Sequence, residues 1–178
     1  MASDVIEIAR RGDQLVDGDP IPFSVAETLE SVADMVRPIA EEKGLSVRFD
    51  GPPGDRRNGR PIAISRVLLN LVTNALKFTD EGGVVISVRV TGPSRLEFSV
   101  QDTGRGISDE GMATLYQPFR RSSVRMGRSG FFFSGTGLGL AMVRKLLGAM
   151  ASELKFETAA GKGTRFYFEV ELPTVSSL

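Results

Sequence analysis

The sequence contains no cysteine and no histidine. Without cysteine there is no disulfide, no thiolate metal site and no thiol nucleophile. Without histidine, a Ser-His-Asp triad and histidine-ligated zinc are excluded, as is the H-R-D catalytic loop of ordinary protein kinases. An excess of one charge is also missing: Lys+Arg 22 balances Asp+Glu 22, so net charge points to neither nucleic acid nor membrane as partner. No apolar run is long enough to span a bilayer and no start resembles a signal peptide, so a cytoplasmic segment without membrane contact is expected, whatever anchors a parent protein. What remains for chemistry is carboxylates, amides, lysine, arginine, the backbone and a hard metal. With 178 residues, 41% hydrophobic and 25% charged, the chain suits one domain with a sizeable core.

Periodicity supplies the elements. Residues 3–16 have apolar positions at 5, 8, 9 and 15 and read as a helix or its end, and DGDPIPF (17–23) reads as a linker with two prolines. Ser24 with Glu27 forms a capping-box pattern ahead of a helix that Gly44 ends. LSVRF (45–49) alternates as a strand, DGPPGDRRNGRP (50–61) reads as a polar loop, and 62–79 as the next helix. VVISVRV and RLEFSV flank a turn at 92–94; KFET and RFYFEVEL flank a GKG turn. Between these hairpins, Ser108 heads a short helix stopped by Pro118, residues 120–137 form a basic loop, and a helix follows it. Interleaved helices and antiparallel hairpins predict an α/β two-layer sandwich, with a mixed, mostly antiparallel sheet packed on helices.

Three segments carry candidate chemistry. On the helix at 62–79, about 100° per residue puts Arg66, Asn70, Thr73, Asn74 and Lys77 on one stripe, opposite Ile64, Leu68, Leu71, Val72 and Ala75. A solvated face would favour Glu and Lys, whereas two asparagines one turn apart offer paired amide oxygens to Mg²⁺ or its waters. In QDTGRGI (101–107), Asp102 ends a strand and Gly104 and Gly106 let the chain double back. This is either an Asp-initiated turn at a sheet edge or a carboxylate placed for the exocyclic amine of adenine. In GFFFSGTGLGLAMVRKLL (130–147), glycines at 135, 137 and 139 stand where a helix begins. Glycine there costs about 1 kcal/mol against alanine, so a backbone approaching phosphate at the helix N-terminus is indicated. No acid lies between Glu110 and Glu153, whereas Arg120, Arg121, Arg125, Arg128, Arg144 and Lys145 do. GxxxxGK[ST] is absent, and Leu140 stands where a dinucleotide fingerprint needs glycine.

The order NLVTNALKFT, DTGRGI, YQPF, GTGLGLAM, GKGTRF resembles the ATP-binding catalytic domain of sensor histidine kinases, in the wider GHKL group with DNA gyrase B, the Hsp-class chaperones and MutL. The resemblance covers residues 62 to about 172 and implies the Bergerat-type fold, ATP and Mg²⁺. It further implies a remnant of a dimerisation helix and linker over 1–18 and the catalytic domain over 19–178. By the same resemblance Asn74 carries Mg²⁺, Asn70 positions the attacking group and reaches the metal through water, and Lys77 lies near the phosphates. Asp102 reads adenine, with Gly104, Gly106 and Ile107 shaping the pocket floor and Thr164 holding the adenine end. Phe119 starts a mobile ATP lid, expected over 120–136, and Gly135, Thr136, Gly137, Leu138, Gly139 and Leu140 line the phosphates.

Hydrolysing relatives have glutamate at the position of Asn70, where an amide cannot serve as general base for water. Phosphoryl transfer would then rest on positioning and charge neutralisation. Because the chain has no histidine, the implied acceptor lies on a histidine-bearing dimerisation domain outside it, with a response regulator receiver domain as the further partner. An alternative is a regulatory module that binds ATP, such as an anti-sigma-type serine kinase or a nucleotide-gated interaction domain.

Overall fold

The computed structural model describes residue 16 and residues 18–52, 54–104, 106–107, 139–159 and 161–175. The helix expected over 3–16, apart from Val16, lies outside these residues, as do the short helix after Ser108 and the basic loop with its lid. The elements run β1 (Ile21–Ser24), α1 (Val25–Lys43), β2 (Ser46–Asp50), β3 (Arg56–Gly59) and α2 (Pro61–Phe78). They continue as β4 (Gly83–Gly92), β5 (Arg95–Asp102), α3 (Gly139–Ala149), β6 (Lys155–Ala159) and β7 (Gly163–Glu171).

Local chemistry explains the helix ends. Ser24 is extended and its hydroxyl accepts the Glu27 N–H at 3.3 Å, while Gly44 closes α1 in the left-handed region at φ 69. Pro61 occupies the first turn of α2, where its missing N–H costs no helical bond. At the other end of α2, Lys43 Nζ donates to the carbonyls of Leu76 (2.6 Å) and Thr79 (2.8 Å), a cation on terminal C=O groups.

The main sheet has the order β2-β4-β5-β7-β6. Only β2 and β4 run parallel; the remaining pairs are antiparallel. Alternation sends Val84, Ile86 and Val88, then Leu96, Phe98 and Val100, then Phe166, Phe168 and Val170 to the helix side. Phe98 and Phe168 stack there at 5.3 Å. They meet the buried stripe of α2, which includes Ile64, Leu68, Leu71, Val72 and Ala75, while α1 and α3 pack on either side of α2. Two layers around one core result, as the sequence pattern predicts.

Two expectations are corrected. Part of the supposed linker at 17–23 is strand β1, and part of the supposed loop at 50–61 is strand β3; they pair antiparallel from Ile21↔Gly59 to Ser24↔Arg56. The ribbon lacks an apolar alternation because its anchor is polar. Arg57, 4% exposed, pairs with Asp55 at 2.9 Å and donates to the carbonyls of Pro93 (3.2 Å) and Leu172 (3.1 Å). Pro22 is compatible with an edge strand of this kind.

Candidate active site

Asp102 ends β5 on the same face as Leu96, Phe98 and Val100, so the apolar stripe of that strand terminates in a carboxylate. The group is 6% exposed, and its Oδ1 accepts the N–H of Gly104 (2.9 Å) and of Thr164 (3.2 Å). Both bonds fall on Oδ1, leaving Oδ2 unengaged by either. Burial pushes the Asp102 carboxyl above its ordinary pKa, and the two N–H groups oppose that rise.

Glycines make this geometry possible at two positions. A Cβ on Gly104 would sit 2.6 Å from the Phe78 carbonyl oxygen and 3.0 Å from Asp102 Oδ1. The loop after β5 therefore lies directly against the C-terminal end of α2. Gly163 has φ +96, and a Cβ there would collide with the Asp102 carbonyl. Thr103 secures the loop from the other side, its hydroxyl accepting the Gly83 N–H at 3.1 Å. Gly106 is also left-handed (φ 75), and the Ile107 N–H that follows donates to Thr158 Oγ1 at 2.9 Å.

Of the five stripe residues on α2, Asn70, Thr73, Asn74 and Lys77 are half-buried and Arg66 alone is exposed, so the stripe is not a solvated face. The Thr73 hydroxyl is spent on the Leu69 carbonyl at 2.8 Å. Neither asparagine side chain has a hydrogen-bond partner among the described residues, which leaves both amide oxygens available. Lys77 Nζ lies 5.4 Å from the Phe78 ring centre, and partial burial lowers its pKa. Contact with anionic oxygens would favour its charged form again.

No group of three or more Asp, Glu, His or Cys able to hold a metal occurs among the described residues. The donor set nonetheless suits Mg²⁺, which keeps several waters, binds phosphate oxygens and takes few protein oxygens. Asn74, with Asn70 beyond it, would supply them.

Leu140 has its side chain in the core, so only its backbone remains for a ligand. At Gly139 a Cβ would meet nothing within 4 Å among the described residues, so no contact with them demands glycine there. Phe119, Gly135, Thr136, Gly137 and Leu138 lie outside the described residues. The sequence reading missed Thr158 and Gly163. Gly163 was visible in the GKG turn beside Thr164, but Thr158 shows only once β6 and β7 are in register.

Residues 59–174 match the family described as histidine kinase-, DNA gyrase B- and HSP90-like ATPase, and the chain belongs to that family. It is 30% identical over 96% of its length to the signal transduction histidine-protein kinase BarA of Escherichia coli (strain K12), covering 19% of that protein. It is 32% identical over 98% of its length to the sensor histidine kinase AruS of Pseudomonas aeruginosa, covering 18%. The chain thus spans about a fifth of the length of these relatives. Full-length ShkA, solved in complex with AMPPNP, superposes with a TM-score of 0.81 at 30% identity, over 98% of this chain and 35% of that one. The nucleotide-free catalytic domain of histidine kinase ThkA has the same fold, with a TM-score of 0.72 at 23% identity over 86% of this chain and 96% of that one.

Proposed function

We propose that this chain is the ATP- and Mg²⁺-binding catalytic domain of a two-component sensor histidine kinase. It transfers the γ-phosphoryl group to a histidine on a helical domain outside this chain. The observation that carries the reading is the junction of α2 with the Asp102 loop, where Gly104 abuts the Phe78 carbonyl. That junction supports reading the amide–lysine stripe and Asp102 as parts of one site.

Asp102 Oδ2 accepts from the exocyclic amine of adenine, and Thr164 stands beside it. Asn74 would hold Mg²⁺, with Asn70 one turn away and Lys77 supplying positive charge. When bound there, the metal would supply charge neutralisation for the phosphate oxygens. In the transfer, a histidine nitrogen bonds to the γ-phosphorus as its bond to the bridging oxygen breaks, and ADP leaves with that electron pair. Asn70 offers no carboxylate to take a proton from water, which favours transfer over hydrolysis. ATP binding is further supported by the AMPPNP complex of ShkA.

Residues 1–18 are read as the end of the dimerisation helix and its linker, and 19–178 as the catalytic domain. Arg60 donates to the carbonyls of Val16 (2.8 Å) and Gly18 (3.2 Å), and Val16 packs on the core, which supports this as the point where the chain enters. A cytoplasmic location and a receiver-domain partner go with this reading; no helix among the described residues is long and apolar enough to cross a membrane.

The test is incubation with γ-labelled ATP, Mg²⁺ and a separate histidine-bearing helical hairpin. An acid-labile, base-stable label on the hairpin, and none on this chain, is expected. Release of labelled phosphate without any labelled hairpin would overturn the kinase reading.

A further inference from the structure

Lys77 sits in the last turn of α2, where a helix frays because its final carbonyls have no helical partner. The carbonyls that bracket this turn are held from outside the helix by a single side chain. Lys43, the last residue of α1, is half-buried and puts its Nζ on the carbonyls of Leu76 (2.6 Å) and Thr79 (2.8 Å), 33 and 36 positions along the chain. Leu76 and Thr79 stand on either side of Lys77 and Phe78, so the ammonium ties both ends of the segment that carries them. From within, the buried Thr79 hydroxyl donates to the Ala75 carbonyl at 2.8 Å. The same corner of α1 grips the connector that follows α2, the Ser46 N–H donating to the Gly82 carbonyl at 3.0 Å. On the far side of that connector the Thr103 N–H donates to the Gly83 carbonyl at 3.2 Å, next to Gly104.

We propose that Lys43 is a positioning residue for phosphate binding, because by tying down the last turn of α2 it holds Lys77 where the phosphates meet it. A lysine suits the task. Its ammonium can donate to several carbonyls at once, and its charge opposes the partial negative charge of a helix C-terminus. Without it the last turn of α2 opens, and Lys77 gains backbone and rotamer freedom that phosphate binding must then take away. Asn70 and Asn74 lie further inside the helix, where the intrahelical bonds hold them. The Asp102 end of the site has its own supports in Gly83, Thr164 and the Gly104 N–H. Loss of Lys43 is therefore felt at the phosphates and not at the base. The inference rests on the reading of Lys77 as the lysine near the phosphates.

Calorimetric titration of the chain with ATP and with adenosine, well below the melting temperature, tests this. Lys43→Met keeps the unbranched stem and removes the ammonium. ATP affinity should fall about tenfold, the worth of one charge-assisted contact, while adenosine affinity holds within about twofold. Lys43→Arg should keep ATP affinity within about threefold, because a guanidinium again donates to carbonyls. Lys77→Ala should lower ATP affinity at least as far, and adding Lys43→Met to it should lower it no further. A charge acting on the phosphates from a distance would instead add to the loss in Lys77→Ala, and that additivity overturns the proposal. Parallel weakening of ATP and adenosine, the mark of a brace that only stabilises the fold, overturns it too. Should Lys43→Met fail to fold, Lys43→Gln keeps an N–H donor in a neutral group and is read against the same two ligands. Unchanged ATP affinity in the folded Lys43 variant, with Lys77→Ala weakened, overturns the role of Lys43 and leaves the site standing. Unchanged ATP affinity in Lys77→Ala overturns the placement of Lys77 itself.

Discussion

Asp102 and Thr164 stand 62 positions apart in sequence and are joined at 3.2 Å, the Thr164 N–H donating to the Asp102 carboxylate. The bond continues the β5–β7 ladder one step beyond its last pair, Gln101↔Arg165, using a side chain in place of a carbonyl. The sheet thus ends in an oriented charge on its helix side. A strand end usually turns into solvent, whereas this one turns against α2.

A carboxylate buried for binding should cost stability. Asp102→Asn keeps an amide oxygen for the Gly104 and Thr164 N–H groups but removes the buried charge. ATP affinity should fall at least about tenfold, because an amide NH₂ now faces the amine of adenine. The melting temperature should hold or rise. A drop of several degrees would mean that the carboxylate itself holds the fold together.

The pH dependence follows from the same burial. The folded pKa of Asp102 is raised, so the native state binds this proton more readily than the unfolded chain. Its contribution to stability is therefore favourable below that value. It is lost as pH rises from the ordinary carboxylate range through the raised folded value. Nucleotide binding runs the other way, since Oδ1 already accepts two N–H groups and a proton on Oδ2 turns the oxygen that faces the amine into a donor. ATP affinity should decline on acidification starting above the ordinary carboxylate range. Titration of Asp102→Asn alongside isolates this group from the phosphates, and equal slopes in the two proteins would refute the assignment.

Much of this site was legible in the sequence because it follows two periods. The 3.6-residue period of α2 separated Asn70, Asn74 and Lys77 from Leu68, Leu71 and Val72, and the structure buries the second set fully and the first by half. The two-residue period of β5 carried Asp102 to the helix face. The ribbon of β1 and β3 was not legible, because prolines and the polar run Arg56–Gly59 hide a pairing anchored by Arg57. Nor was Thr158, which receives the Ile107 N–H from a loop 51 positions away and follows no pattern within its own strand.

The two glycines flanking the site should behave oppositely. Gly163→Ala forces a left-handed φ on a residue with a Cβ and drives that Cβ into the Asp102 carbonyl. It should destabilise the fold by about 2 kcal/mol or more and reduce ATP binding with it. Gly139→Ala meets no described residue and should leave the melting temperature unchanged or slightly higher. If its backbone approaches phosphate, ATP affinity should fall while adenosine affinity holds. Equal loss of both ligands would place Gly139 outside the phosphate site.

The end of α3 holds a strained residue that the chemistry does not need. Ala151 has φ 54, the only left-handed non-glycine among the described residues. It closes the helix in a Schellman pattern, its N–H on the Gly148 carbonyl (3.1 Å) and that of Ser152 on the Leu147 carbonyl (2.8 Å). A Cβ in this conformation costs about 1–2 kcal/mol, whereas the added freedom of glycine in the unfolded chain takes back about 0.4–1 kcal/mol. Ala151 is exposed, so removing its methyl sacrifices little packing. Ala151→Gly should therefore stabilise the protein by about 0.5–1 kcal/mol, a rise of about 2 °C for a domain of this size. ATP affinity should not change, because the substitution lies at the opposite end of α3 from Gly139. Thermal denaturation with and without ATP checks both halves. A lower melting temperature would show that the methyl packs more usefully than its exposure implies, and that the left-handed turn carries no recoverable strain.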